Sequence, residues 1–228
     1  MMRRRASLFA AILLASGGLA CADPSFEDRL RALEPAIGHY PADFKDKQDE
    51  AAVKARYESL KRDLDKALKT HRGDKKLLVQ RGVLQAMGHN FDRPGAWEGA
   101  TNDLTAALKQ DLDEVHAILA LATLWVNSRP DLAGKAELLF RAAQCNLGDK
   151  PLEEAQRGLF FAFYYQGKFV DAWRQAQYLT HTWPEQKNYA TLLDLGRNAA
   201  QKQGAAAPQV AMTTCTDKVP SSASRVKP

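Results

Sequence analysis

The sequence has few cysteines and none of the residue patterns that common catalytic or metal sites require. Only three of its 228 residues are cysteine, and its five histidines are scattered singly rather than placed at metal-binding spacings. It contains no G-x-S-x-G nucleophile turn and no G-x-x-x-x-G-K-[ST] phosphate loop. We therefore expect no catalytic residue, no metal site and no cofactor, and we expect that the protein is not an enzyme.

Long apolar runs are also scarce. The single one, residues 6–15, is about half of the roughly 20 residues that a membrane-spanning helix needs. It follows three arginines at 3–5 and precedes Ala20-Cys21-Ala22, which has the small-x-small form that signal peptidase prefers. The sequence therefore predicts a signal peptide over residues 1–22 and export to the periplasm of a Gram-negative-type cell.

Cys21 supports a second interpretation of the same leader. Leu19-Ala20-Cys21 lies where a bacterial lipoprotein signal places its lipid-accepting cysteine. Such signals usually carry leucine three residues before the cysteine, where this chain has Gly18. We favour ordinary cleavage after Ala22. The alternative is a membrane-anchored lipoprotein, held at the outer membrane as part of an envelope assembly complex.

Cleavage after Ala22 leaves two cysteines, Cys145 and Cys215, in an oxidising compartment. One interpretation is a disulfide between them. The other is that Cys145 is a small buried residue near a helix end and Cys215 is a free thiol in the tail. Sequence alone leaves both open, because a disulfide requires the two side chains to meet.

The positive charge of the chain does not indicate nucleic-acid binding. Removing residues 1–22 lowers the count of Lys plus Arg from 32 to 29 against 27 Asp plus Glu, which leaves a formal charge of +2. In residues 58–66 basic and acidic side chains alternate instead of forming a basic patch. We interpret that stretch as an ion-paired, solvated helix face and expect no nucleic-acid partner.

The rest of the chain has the periodicity of helices and no sustained alternation that would indicate strands. Apolar residues recur at spacings of three and four from Ser25 to Lys202. After Gly204 large apolar residues become rare, which is typical of a flexible tail. We therefore divide the chain into a signal peptide (1–22), an N-terminal cap segment (23–45), a helical repeat domain (46–203) and a C-terminal tail (204–228).

A 36-residue period runs through the helical domain. Ala100, Ala136 and Ala172 are spaced by 36 residues, and Leu104, Phe140 and Ala176 keep the same period. Self-similarity at such a period indicates stacked helix pairs, each of which buries its apolar face against the next. The final helix predicted over residues 185–203 would cover the last exposed face.

The last repeat resembles the tetratricopeptide repeat (TPR) family. That family spaces a leucine, two aromatics, a turn glycine, a small alanine and a closing proline in the same way as this chain spaces Leu159, Phe163, Phe169, Gly167, Ala172 and Pro184. The resemblance covers residues 64–184 and is weaker in the two upstream repeats. It implies an all-α fold: a right-handed α-solenoid of three to four TPR-like helix pairs with capping helices. We expect Phe163 and Phe169 to lie in its core.

The resemblance also implies a site. TPR arrays present the first helix of each pair on a concave face, where a peptide or protein partner binds. In the third repeat that face would carry Arg157, Phe161, Tyr164 and Tyr165. An alternative is that Phe161 and Tyr164 pack on a neighbouring helix. A loop at residues 88–97 lengthens the first repeat, and it either makes specific contacts or tucks Phe91 or Trp97 against the helices.

Our functional hypothesis is an adaptor or assembly factor for protein–protein interaction. The alternative from another class is a helical-repeat enzyme or a module that binds cell-wall glycans. Either alternative requires polar residues that converge in the groove, or aromatic rings that stack on sugars, whereas the third repeat offers mainly aromatics.

Overall fold

The structure of the protein is a computed structural model, and it describes residues 24–148 and 150–208. These residues form ten α-helices and one short 3-10 helix (Pro130–Leu132), with no strand among them. The predicted signal peptide and most of the predicted tail lie outside the described residues. The helices are α1 (Phe26–Arg31), α2 (Glu34–Ile37), α3 (Lys47–Thr70), α4 (Lys75–His89), α5 (Ala96–Gln110), α6 (Val115–Ser128), α7 (Ala133–Asn146), α8 (Glu153–Tyr165), α9 (Phe169–Thr182) and α10 (Asn188–Lys202).

Several helix ends have a clear local cause. The side chain of Asp46 accepts hydrogen bonds of 2.8 Å from two backbone N–H groups in the first turn of α3. Asp74 accepts one of 2.9 Å at the start of α4. Gly73 and Gly167 adopt φ values of 75° and 73°, which glycine tolerates better than any other residue, and so they end α3 and α8 with tight turns.

From α3 onward the helices pack in chain order, each against the one before it and the one after it. Three pairs, α4 with α5, α6 with α7 and α8 with α9, follow one another, and α10 packs against α9. The first helices of the pairs, α4, α6 and α8, also contact one another and form an inner layer. The prediction of an all-α solenoid built from stacked helix pairs is confirmed.

The repeat register places the same kind of residue at each pair interface. Ala100, Ala136 and Ala172 lie on α5, α7 and α9 and are fully buried. Phe163 is also buried, as expected. Phe169, in contrast, is only partly buried, because it is the first residue of α9 and lies at the edge of the stack against the ring of Tyr164.

The short helices α1 and α2 pack on α3 and α4 around a second hydrophobic core. Leu30, Leu33 and Ile37 of the short helices are buried together with Tyr57 and Leu84 of the long ones. Burying a leucine or isoleucine side chain contributes roughly 1.5–3 kcal/mol. Helices α1 and α2 are too short to be stable on their own. These contacts hold them against one side of the inner layer.

The loop between α4 and α5 is packed rather than open. The ring of Phe91 lies edge-on to Tyr57, with 5.1 Å between centroids. Trp97 packs against the larger hydrophobic core, to which helices from α3 to α10 contribute. The side-chain amide of Asn90 donates a hydrogen bond of 2.8 Å to the backbone carbonyl of Ile37. Of the two expectations for this loop, the one in which its aromatic residues tuck against the helices is confirmed.

Cys145, in the last turn of α7, is disulfide-bonded. The other two cysteines of the chain, Cys21 and Cys215, lie outside the described residues. The interpretation of Cys145 as a free buried thiol is therefore wrong.

Candidate binding groove

A groove runs along the inner layer of the solenoid. Helices α4 and α6 form its floor, α1 and α2 form one wall, and the start of α8 lies on the opposite side. It has two adjoining parts of about 630 and about 430 Å³, and Glu34 and Val83 line both. Each volume falls within the range of about 300–1,000 Å³ that is typical of ligand pockets.

The floor of the groove is apolar. Val79, Val83 and Ala86 come from α4, and Ala120 and Leu124 come from α6. The two helices contribute these side chains because residues spaced by three and four lie on one helix face, and that face is left uncovered between α2 and α6. A partner with apolar side chains would therefore have a surface to bury.

Most charged residues at the α1 end of the groove are already paired. Arg31 forms an ion pair of 3.3 Å with Glu27, one turn away on α1. Lys75, at the start of α4, lies 2.6 Å from Asp111 and 3.2 Å from Glu114. The Lys75 pairs join the start of α4 to the turn between α5 and α6. Lys76 and Glu34 also line this end and have no ion pair within the described residues.

The α8 end of the groove differs, because two carboxylates there have no ion pair with any residue of the described chain. Glu34 lies on α2 and Glu154 in the first turn of α8. Glu154 is exposed to solvent at its residue surface, yet desolvation of its carboxyl by neighbouring atoms raises its pKa; Arg157 and His116 oppose that shift, and the negative charge of Glu34 adds to it. Both carboxylates line the same part of the groove.

The first turn of α8 is held in place by α10. The hydroxyl of Tyr189 donates a hydrogen bond of 2.6 Å to a carboxylate oxygen of Glu153. Tyr189 is fully buried, and the desolvation of its hydroxyl, together with this bond, raises its pKa above the ordinary value. Glu153 thus supports the fold, whereas its neighbour Glu154 faces the groove.

The four residues predicted for partner binding do not form one surface. Arg157 lines the groove beside Glu154. Phe161 and Tyr164 are partly buried and pack on the ring of Phe160, with centroid distances of 5.2 and 6.0 Å. Tyr165 is 44% exposed and contacts Tyr164 edge-on. Of the four, Arg157 alone is among the described residues that line the groove.

The floor residues of α4 and α6 did not feature in the sequence-based site. They lie on the first helix of the first and second repeats. The expectation that the first helix of each pair lines the concave face, which selected Arg157 in the third repeat, therefore also selects them. The wall made by Leu30 and Glu34 has no comparable signal, because no periodicity predicts that α1 and α2 pack beside α4.

The described residues include no cluster of three or more His, Cys, Asp or Glu side chains that could hold a metal ion. None of the helices within 24–208 combines the length and the apolar character of a membrane span. No family model, no curated protein and no solved structure matches the chain. The groove thus combines an apolar floor with mostly paired charges at the α1 end and two carboxylates without an ion pair at the α8 end.

Proposed function

We propose that this chain is a TPR-like interaction adaptor or assembly factor, exported to the periplasm, that binds a peptide or protein partner in the groove along α4, α6 and α8. The observation that carries the proposal is the groove itself, which is continuous, has an apolar floor and is bordered by polar side chains. Surfaces of this composition suit recognition of an extended or helical segment.

The enzyme alternative has weaker support. Its polar residues would have to converge on one point, but most charged side chains at the α1 end are engaged in ion pairs. Glycan binding would use exposed aromatic rings, and Phe161 and Tyr164 instead pack on Phe160. Neither class is favoured by a specific feature of the groove.

The proposal can be tested by site-specific photo-cross-linking in cells. We would place p-benzoylphenylalanine at Gln80 or Thr123, which are partly exposed and lie on α4 and α6 in the groove, and at Asn102, which is exposed on α5, as the control. We expect the same cross-linked partner from both groove positions and none from Asn102. Equal products at all three positions, or none at the two groove positions, would contradict the proposal.

The export part of the proposal has its own test. Mass spectrometry of the mature protein should find Asp23 as the first residue if signal peptidase cleaves after Ala22. A lipid-modified Cys21 at the N-terminus would instead support the membrane-anchored lipoprotein.

A further inference from the structure

Two carboxylates that line the groove, those of Glu34 and Glu154, have no ion pair or hydrogen bond within residues 24–208. Both residues are exposed to solvent in the first turn of their helices, where the helix dipole favours a negative charge. Because no cation of the described chain pairs with them, a cationic ligand would supply contacts that the fold does not.

The surroundings of the two carboxylates define the chemistry of that ligand. Arg157 is the one strong base beside Glu154, but it also lies close to the Tyr189 hydroxyl, and His116 forms its contact of 3.3 Å with Glu114. The α8 end of the groove therefore carries a net negative charge. A cationic group would be attracted to it and would neutralise both carboxylates at once.

The apolar floor of this part of the groove suits a cation that carries apolar atoms better than a small hydrated cation. Val83, Ala86 and Ala120 lie there, and these side chains gain from contact with apolar atoms rather than with a hydration shell. Lysine and arginine side chains combine a cationic head with an apolar stem. A peptide supplies both the cation and further apolar side chains for the rest of the floor.

We propose that the groove binds an extended segment of a partner protein through a Lys or Arg side chain that lies between Glu34 and Glu154. The apolar stem of that side chain and its small apolar neighbours pack on the floor formed by α4 and α6. This inference rests on the proposed function and adds to it the class of partner: a basic, apolar segment.

The experiment is a selection from a phage-displayed library of random twelve-residue peptides, using the purified mature protein. Three proteins are compared: the wild type, the double variant Glu34→Gln/Glu154→Gln, and Glu98→Gln/Glu185→Gln as a matched control. Glu98 and Glu185 are exposed, have no ion pair within the described residues and lie outside the groove, so the control makes the same change in net charge without touching the binding surface. Circular dichroism of each variant confirms that it is folded.

We expect peptides selected by the wild type and by Glu98→Gln/Glu185→Gln to be enriched in Lys or Arg at one position, next to small apolar residues. A synthetic peptide from that set should bind the double variant at least about tenfold more weakly in fluorescence polarisation, which corresponds to the loss of one charge-assisted contact. Replacement of its basic residue by norleucine should weaken binding to the wild type by a similar factor and leave binding to the double variant unchanged.

The outcomes separate this inference from the function on which it rests. Groove-bound peptides that lack basic residues, or basic peptides that bind the double variant as tightly as the wild type, overturn the inference and leave the binding function in place. If no selected peptide competes with a cross-linker at Thr123, the groove does not bind peptides and both proposals are wrong.

Discussion

The side-chain amide of Gln156 on α8 donates a hydrogen bond of 2.8 Å to Oε1 of Gln144 on α7. Both residues are almost fully buried. Gln144 also accepts a bond of 2.8 Å from the backbone N–H of Leu152 and donates to the carbonyls of Gly148 and Lys150. One buried amide thus orders the turn that leads into α8, the helix that carries Glu154 and Arg157.

Replacing Gln144 should therefore destabilise the protein strongly. Gln144→Leu removes four hydrogen bonds and leaves buried backbone groups unsatisfied, which we expect to lower the free energy of unfolding by about 2–3 kcal/mol. Urea denaturation followed by circular dichroism measures the change. Gln110→Leu is the matched control, because Gln110 is exposed and donates one hydrogen bond, to Gly73; we expect a change of about 0.5 kcal/mol. Similar losses in both variants would contradict the role given to Gln144.

Two glycines in helices should respond oppositely to alanine. A Cβ on Gly158 would lie 2.2 Å from ring atoms of the fully buried Phe140, so the α7–α8 interface would have to open. We expect Gly158→Ala to cost about 1–3 kcal/mol despite the better helix propensity of alanine. Gly134 is exposed on α7, and its Cβ would come no closer than 3.5 Å to Gln166.

Gly134→Ala should accordingly be neutral or stabilise the protein by up to about 1 kcal/mol. Thermal unfolding of the two variants beside the wild type is sufficient to compare them. A stabilised Gly158→Ala protein would mean that α7 and α8 do not pack as closely as described.

Helix boundaries could be predicted from sequence because they depend on neighbouring residues. The spacing of apolar residues predicts helices over residues 96–110 and 47–71. The first has the bounds of α5, and the second ends one residue later than α3. The last helix begins at Asn188 rather than at residue 185, because the chain after Trp183 makes a turn before it becomes helical. Such errors of a few residues are usual where no capping side chain marks the start.

The groove could be predicted only in part, because its walls come from distant parts of the sequence. The inner face of α8 follows from the repeat, and Arg157 was found in that way. The position of Glu34 depends on Ile37 packing into the second core with Leu84, a contact that no periodicity reveals. That Glu34 and Glu154 line the same part of the groove is therefore information that the three-dimensional structure adds.

Glu137 should make the stability of the protein depend on acid pH. Burial alone would raise the pKa of this α7 carboxyl. Gln166, Lys168 and Arg141 each donate to it at 2.9 Å, and these contacts outweigh burial and hold its pKa below the ordinary value. A carboxyl whose pKa is lowered by folding stabilises the protein above its unfolded pKa, and that contribution is lost as the pH falls through the folded pKa.

We therefore expect Glu137→Gln to lower the free energy of unfolding by about 1–2 kcal/mol at neutral pH and by progressively less as the pH drops below the ordinary glutamate value. Denaturation at a series of pH values provides the measurement. Asp194→Asn, which breaks an exposed pair with Arg197, should change stability by less than about 0.5 kcal/mol at any pH. A loss for Glu137→Gln that does not depend on pH would exclude the ionised carboxylate as its cause.

The disulfide of Cys145 should join it to Cys215. On the proposed cleavage after Ala22, Cys21 would leave with the signal peptide and Cys215 would be the remaining cysteine of the mature chain. The bond would close a loop of about 70 residues that contains α8, α9 and α10, and a loop of this length contributes about 4 kcal/mol in the chain-entropy description. Peptide mapping of the non-reduced protein identifies the linked cysteines. A Cys145–Cys21 link would show that the leader is retained, and a free thiol at Cys145 would contradict the bond.

Glu154 should show the opposite behaviour to Glu137, because its pKa is raised by burial and by Glu34 rather than lowered by donors. A carboxyl whose pKa is raised by folding binds its proton more tightly in the folded protein than in the unfolded chain. Its ionised form therefore destabilises the fold above that pKa. The penalty disappears as the pH falls below the unfolded value.

We expect Glu154→Gln to raise the melting temperature by about 1–2 °C at neutral pH, with no difference from the wild type in strongly acid solution. Glu27→Gln should give no such increase, because Arg31 pairs with the ionised form of Glu27. A Glu154→Gln protein that is less stable than the wild type at neutral pH would mean that the carboxylate already makes a stabilising contact within the protein. Glu154 would then not be free to pair with a cationic ligand, and the inference of such a ligand would lose its premise.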